Sequence, residues 1–183
     1  MISLLQDCIE EMRLALDSVA GDTDNLLPAL GNFRGRISPR FDAIGLKLQW
    51  VYENLPDAIE ISSQASLQVL RILQEALSNV LKHAKATAVT VRIAMENDTL
   101  LIEVTDDGVG FVSTRAATGH GVGNMYSRAE RLGGLVAIVA GASGTSVRLS
   151  VPLASAGRLA NPSASTNEVS SSSSDVGLIR RMH

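Results

Sequence analysis

Two alternating segments, AVTVRIAM (88–95) and LLIEVTD (100–106), lie one short turn apart, and that spacing constrains the fold more than any other feature. A period of two, apolar then polar, describes a strand that buries one face. The intervening Glu96-Asn97-Asp98 leaves room for a hairpin and none for a crossover, so these strands pair antiparallel. The pattern recurs in LVAIVA (135–140) and TSVRLSVPL (145–153), which turn at Gly141-Ala142-Ser143-Gly144, and LKLQWVY (46–52) reads as a further strand.

Helical segments lie before and between these strands. Ser62 or Ser63 is placed to cap SLQVLRILQEALSNVLKHAKA, which runs to about Lys85 and is the most periodic helix in the chain. A second helix spans Leu26 to about Phe41, with limits blurred by Pro28, Gly31, Gly35 and Pro39; a third, NMYSRAERL, stops at Gly133-Gly134. The expected class is α+β, with helices covering one face of a sheet. At the N-terminus Ile2, Leu5, Ile9, Met12, Leu16 and Val19 form a heptad seam. It serves equally a helix docked on its own domain or a dimer helix through residues 2–19. After Leu153 the composition turns to Ser, Ala and Asn, with little to bury, which predicts disorder.

Bulk properties narrow the function classes. Aromatics are 3% of the chain, so the core is built from Leu, Val, Ile and Ala. A formal charge of −3, with no basic face interleaved with aromatics, argues against nucleic acid as a partner. Cys8 is the only cysteine, which excludes a disulfide framework or cysteine metal cluster and suits a reducing cytoplasm. No apolar run approaches the roughly 20 residues that cross a bilayer, and the start lacks the charge of a signal peptide. A cytoplasmic location is expected, with any membrane attachment through a sensing part outside this sequence.

Three clusters of residues have chemical potential. Glu75, Asn79, Lys82 and His83 share one face of the long helix, opposite Leu70, Leu73, Leu77, Leu81 and Ala84. Alone, that face is explained by solvation. The second cluster is Asp106-Asp107-Gly108-Val109-Gly110-Phe111 at a strand end. There a carboxylate can accept from an exocyclic amine while the glycines let backbone approach a flat ligand; a capped tight turn explains it equally. The third is Gly119-His120-Gly121-Val122-Gly123-Asn124-Met125, which leads into a helix whose first amides favour phosphate. It is neither a GxxxxGK[ST] loop nor a GxGxxG turn.

Taken together, QEALSNVLKHA (74–84), DDGVGF (106–111), GHGVGNM (119–125) and GTSVRLSVP (144–152) resemble the successive N, G1, G2 and terminal boxes of histidine-kinase catalytic domains. Their order and spacing resemble the subgroup paired with response regulators that carry a LuxR-type DNA-binding output. The resemblance covers roughly residues 24 to 153, and the first helix resembles the second helix of a dimerisation and phosphoacceptor hairpin. It implies a Bergerat-type fold, a two-layer sandwich whose mixed, mainly antiparallel sheet is covered on one face by helices. It also implies ATP and Mg²⁺ as ligands. Asn79 would give its side-chain oxygen to the metal, Lys82 would neutralise phosphate charge, and Glu75 would act as polarising group or base, or order a metal-bound water. His83 would lie beside the phosphates. Asp106 would recognise the adenine amine, with Gly108 and Gly110 giving clearance. Gly119, His120, Gly121, Val122 and Gly123 would form the lid, and Thr145 would touch the adenine side through a water.

One departure shapes the expected mechanism. The histidines are His83, His120 and His183, so the first helix carries no phosphoacceptor, and the histidine that takes the γ-phosphoryl is expected on a helix outside this sequence. Two enzymatic rivals remain: a gyrase-like or mismatch-repair-like ATPase in which Glu75 activates water, and a partner-switching serine kinase of the anti-sigma-factor kind. An ATP-binding interaction module without catalysis is a third.

Overall fold

The computed structural model describes Met12, Leu14, residues 24–110 and residues 120–156. The alternating segments form β1 (Lys47–Glu53), β2 (Ala88–Glu96), β3 (Thr99–Asp106), β4 (Leu135–Gly141) and β5 (Gly144–Pro152), each within a residue or two of the limits that periodicity predicts. They make a five-stranded sheet in the order β1-β2-β3-β5-β4. β1 runs parallel to β2, and the other pairings are antiparallel, which is the mixed, mainly antiparallel sheet expected. The β2–β3 hairpin closes through Asn97 and Asp98, both at positive φ (47° and 60°), the backbone a two-residue hairpin turn needs.

Register follows the apolar face. Val91 lies opposite Val104, which lies opposite Val147; Ile93, Ile102 and Leu149 form the next row. Of these, all but Val147 are buried. The other face carries Arg92, Glu103 and Arg148 in one row, with Arg92 bonded to Glu53 at 2.5 Å and Arg148 to Glu103 at 3.0 Å. Solvent-exposed pairs of this kind contribute little, against about 1.5–3 kcal/mol for burying one Val, Leu or Ile. The apolar rows therefore set the register.

Helices cover that apolar face. α1 (Leu26–Asp42) begins at Asn25, whose Oδ1 accepts from Leu27 N–H and from Ile59 N–H at 3.0 Å each, tying the helix start to the strap before the next helix. α2 (Ser63–Asn79) is capped by Ser62, whose Oγ accepts from Ala65 N–H at 3.1 Å. α3 (His120–Arg131) and α4 (Leu153–Ala156) complete the described helices. Phe33 of α1 meets Trp50 of β1 edge-on, with centroids 6.4 Å apart, and Met125, Ala129 and Leu132 bring α3 and its exit into the same core.

Three helix boundaries differ from expectation. The long helix is α-helical only to Asn79; Val80–Ala84 form a π-helical turn that ends at Lys85, φ 51°. The Ala84 carbonyl, left without a helical donor, accepts from Val109 N–H at 2.8 Å. α3 starts at His120 rather than Asn124, so the residues expected as a loose lid end form its first turn. Residues 154–156, where composition predicts disorder, continue helically from Leu153, whose N–H donates to Asp98 O at 2.9 Å. Of the N-terminal helix only Met12 and Leu14 are described. Both are helical; Met12, on the heptad seam, is 58% exposed, and Leu14, off it, is buried in the core. The rest of that helix, residues 111–119 and the Ser-rich tail lie outside the described residues.

Candidate functional site

A cleft opens where the end of α2, the end of β3, the first turn of α3 and the β4–β5 hairpin meet. Asn79 and His83 enter it from α2 and the π-helical turn, Asp106 and Thr145 from the sheet. Between these polar groups the lining is apolar, with Val104, Met125, Ile138 and Val147 prominent. A mostly apolar slot with a few fixed polar groups is what a flat, polar-edged ligand requires.

Asp106 follows Ile102 and Val104 on the helix-covered face of β3, so its carboxylate is buried at 6% exposure. Oδ1 accepts from Gly108 N–H at 2.9 Å. The other oxygen has no hydrogen bond from any described residue. A buried carboxylate with an open acceptor favours a ligand that brings a donor.

Close backbone approach explains the glycines. A Cβ on Gly108 would meet the carbonyl of Ala84, and one on Gly110, at φ +70°, would meet the carbonyl of Gly141. Gly144, at φ +120°, packs against the carbonyl of Asp106 itself. The strand end is thus held between the π-helical turn and the hairpin tip.

The neighbouring Asp107 points away from the cleft. It accepts from Thr87 N–H (2.7 Å), Thr87 Oγ1 (2.5 Å) and Ala88 N–H (2.9 Å). The Thr87 hydroxyl foremost, then the amides of Ala88 and Thr87, hold its pKa down to about 2.

Residues 64–155 match the family described as histidine kinase-, DNA gyrase B- and HSP90-like ATPases. The chain belongs to this ATPase family. It is 37% identical over 95 residues to the sensor histidine kinase LiaS of Bacillus subtilis, across 51% of this chain and 26% of LiaS. To the sensor protein VraS of Staphylococcus aureus it is 39% identical over 87 residues, across 46% of this chain and 25% of VraS. The chain therefore matches about a quarter of the length of these curated relatives. The histidine kinase domain of the Erythrobacter litoralis EL346 blue-light activated histidine kinase aligns with a TM-score of 0.65 at 21% identity, over 82% of this chain and 75% of that one. The Acinetobacter baumannii histidine kinase AdeS aligns with a TM-score of 0.61 at 12% identity, over 83% and 80%. At these identities the two structures establish the fold. The matched region is the ATPase domain of this family and is similar in sequence to LiaS and VraS.

Within this ATPase domain the residues singled out by sequence separate into groups. Asn79, His83, Asp106, Gly110, Val122 and Thr145 line the cleft. Glu75 is half-buried on α2 with its carboxylate against Gly121, where a Cβ would collide with it. Lys82 is exposed on the π-helical turn and is not among the lining residues. Gly108 backs onto Ala84 behind the cleft, and Gly123 has open space around it. His120 begins α3, its side chain lying outside the described residues with Gly119. The motifs do not mark the apolar lining or Thr87. Val104 and Val147 were available from strand parity, each two or more places along the face that Asp106 shares; Thr87 had no signal, because its partner is distant in sequence.

Proposed function

We propose that this chain binds Mg-ATP in the cleft and donates the γ-phosphoryl to a histidine on a dimerisation helix, as the catalytic part of a two-component sensor histidine kinase. One observation carries the reading: Asn79 and Asp106, remote in sequence, line the same cleft. The open oxygen of Asp106 suits the adenine amine, and the apolar lining suits the ring. Asn79 and His83 then lie toward the phosphates, with the first turn of α3 supplying backbone amides. Glu75, against Gly121, sits between the helix that carries Asn79 and that first turn.

The donor set fits a metal that arrives with the nucleotide. Among the described residues no group of three or more His, Cys, Asp or Glu is placed to hold a metal ion, while the Asn79 amide lines the cleft. One protein oxygen, with phosphates and water as the remaining ligands, is how Mg²⁺ commonly binds. When bound, the ion would neutralise phosphate charge and orient the transferred group. Neutral imidazole is already a good nucleophile, so the chain's own task is placement more than deprotonation.

The partners follow from this reading: the phosphoacceptor helix, a response regulator with a LuxR-type output, and a second copy through residues 2–19. The setting is the cytoplasm; among the described residues no helix is long and apolar enough to cross a membrane. The test is calorimetric titration of the 183-residue chain with ATP, with and without Mg²⁺, followed by transfer from γ-labelled ATP to a supplied dimerisation helix. Expected are Mg²⁺-dependent binding, loss of that dependence in Asn79→Ala, and acid-labile label on histidine. Label on serine, or rapid release of free phosphate abolished by Glu75→Ala, would replace this reading with one of its rivals.

A further inference from the structure

The cleft is assembled from two separate pieces of chain. One is α2 with its π-helical turn, carrying Asn79 and His83; the other is the end of β3, carrying Asp106. A nucleotide that spans them is bound well only if their separation is held, because small displacements of positioning groups weaken every contact that depends on them.

Thr87 is the junction between the pieces. The chain leaves the π-helical turn at Ala84, reverses through Lys85 in the left-handed region (φ 51°), and enters β2 at Ala88. Thr87 O accepts from Lys47 N–H of β1 at 3.2 Å. Its N–H and hydroxyl both go to the Asp107 carboxylate, which also takes Ala88 N–H. Sheet pairing does not require these bonds, since Asp107 N–H already donates to Ala88 O at 3.3 Å and β2–β3 pair along their whole length. The carboxylate adds a clasp one residue from Asp106 and three residues from Ala84. With Val109 N–H on Ala84 O, it closes a ring through both walls of the cleft.

We infer that Asp107 is a positioning residue for the nucleotide: by clasping Thr87 and Ala88 it holds the Asn79–His83 wall in register with Asp106, without touching the ligand. This rests on the nucleotide reading proposed above. It implies that ligands spanning both walls depend on the clasp and that ligands confined to the Asp106 side do not. Asp and Asn are not equivalent here, yet Asn keeps an oxygen for the two N–H donors and an amide that can donate to the Thr87 hydroxyl.

The experiment measures ADP and adenosine affinities for the 183-residue chain, by calorimetry and ligand-observed NMR, in wild type, Asp107→Ala, Asp107→Asn and Thr87→Val. In Asp107→Ala, ADP binding should weaken about tenfold, the lower end for losing a group that orients binding residues, while adenosine binding changes less than about twofold. Asp107→Asn should restore ADP binding to within about threefold, and Thr87→Val, which loses one bond of the clasp, should fall between. Equal weakening of both ligands would mean general destabilisation and would overturn the inference, as would unchanged ADP affinity. Should Asp107→Ala not fold, the same ADP-to-adenosine split in Thr87→Val decides. Wild type that binds neither ligand defeats the nucleotide reading itself; wild type that binds ADP with no split in the variants defeats only the clasp.

Discussion

Replacing Asp106 by Asn removes one acceptor from the cleft and changes little else. The carboxylate commits Oδ1 to Gly108 N–H at 2.9 Å, and Asn keeps that bond with its own oxygen. The amide nitrogen then takes the place of the open oxygen and presents a donor to the adenine amine. One hydrogen bond to a charged group is lost, worth about 1.5–3 kcal/mol, with little discount for solvent at a site 6% exposed. At about 1.4 kcal/mol per tenfold, ADP affinity should fall roughly 10- to 150-fold. The assay is calorimetric titration of wild type and variant with ADP and GDP, beside a urea unfolding curve. Stability should hold, because the Gly108 bond persists, and the preference for ADP over GDP should shrink, because an amide donor opposes adenine's amine but can donate to guanine's O6. A variant within threefold of wild type for ADP, or wild type binding both purines alike, would refute the assignment of Asp106.

Two further outcomes follow from the geometry. Gly110→Ala places a non-glycine residue at φ +70°, costing about 1–2 kcal/mol, and drives a Cβ into the Gly141 carbonyl, adding roughly 1–3 kcal/mol of overpacking; a urea-derived loss below about 1 kcal/mol would count against the close approach. Asp107 has its pKa lowered from 3.8 to about 2 in the folded chain, so its bonds stabilise the fold above the ordinary carboxylate range, and that stabilisation is lost as pH falls through about 2. In thermal melts, the advantage of wild type over Asp107→Asn should be level from neutral pH to about 5 and close between about 4 and 2; an unchanged gap at the acid end would contradict it.

The sheet was legible because its signals are local. Two hairpins and one further strand are written in period-two alternation; burial follows it residue by residue in β3 and departs from it in β2, where Ile93 and Ala94 are both buried, and in the first half of β5. The helix caps were legible for the same reason, Ser62 accepting from Ala65 where a cap residue should. The π-helical turn was not. Ala76, Asn79, Val80, His83 and Ala84 line the cleft at helical spacing and Lys82 falls beside that stripe, so the π-helical turn changes how the helix ends rather than which residues face the cleft. What holds that turn is the Val109 N–H on Ala84 O and Gly108 packed on the same carbonyl. Those partners come from the loop that follows β3, distant in sequence, and nothing in residues 80–84 announces them.

Two adjacent aspartates show how parity divides labour. Strand alternation alone separates them: residues 102, 104 and 106 face the helices, so Asp106 is carried into the cleft with Ile102 and Val104. Its successor cannot share that face, and Asp107 turns instead to the solvent side, where three donors from the β2 entrance await it. A one-residue slip of β3 against β2 would exchange the two, burying the clasped carboxylate and exposing the one that lines the cleft. The rows Val91–Val104–Val147 and Ile93–Ile102–Leu149 forbid that slip, since each apolar side chain moved to water forfeits about 1.5–3 kcal/mol. The apolar core of the sheet therefore also decides which of two chemically identical side chains enters the cleft.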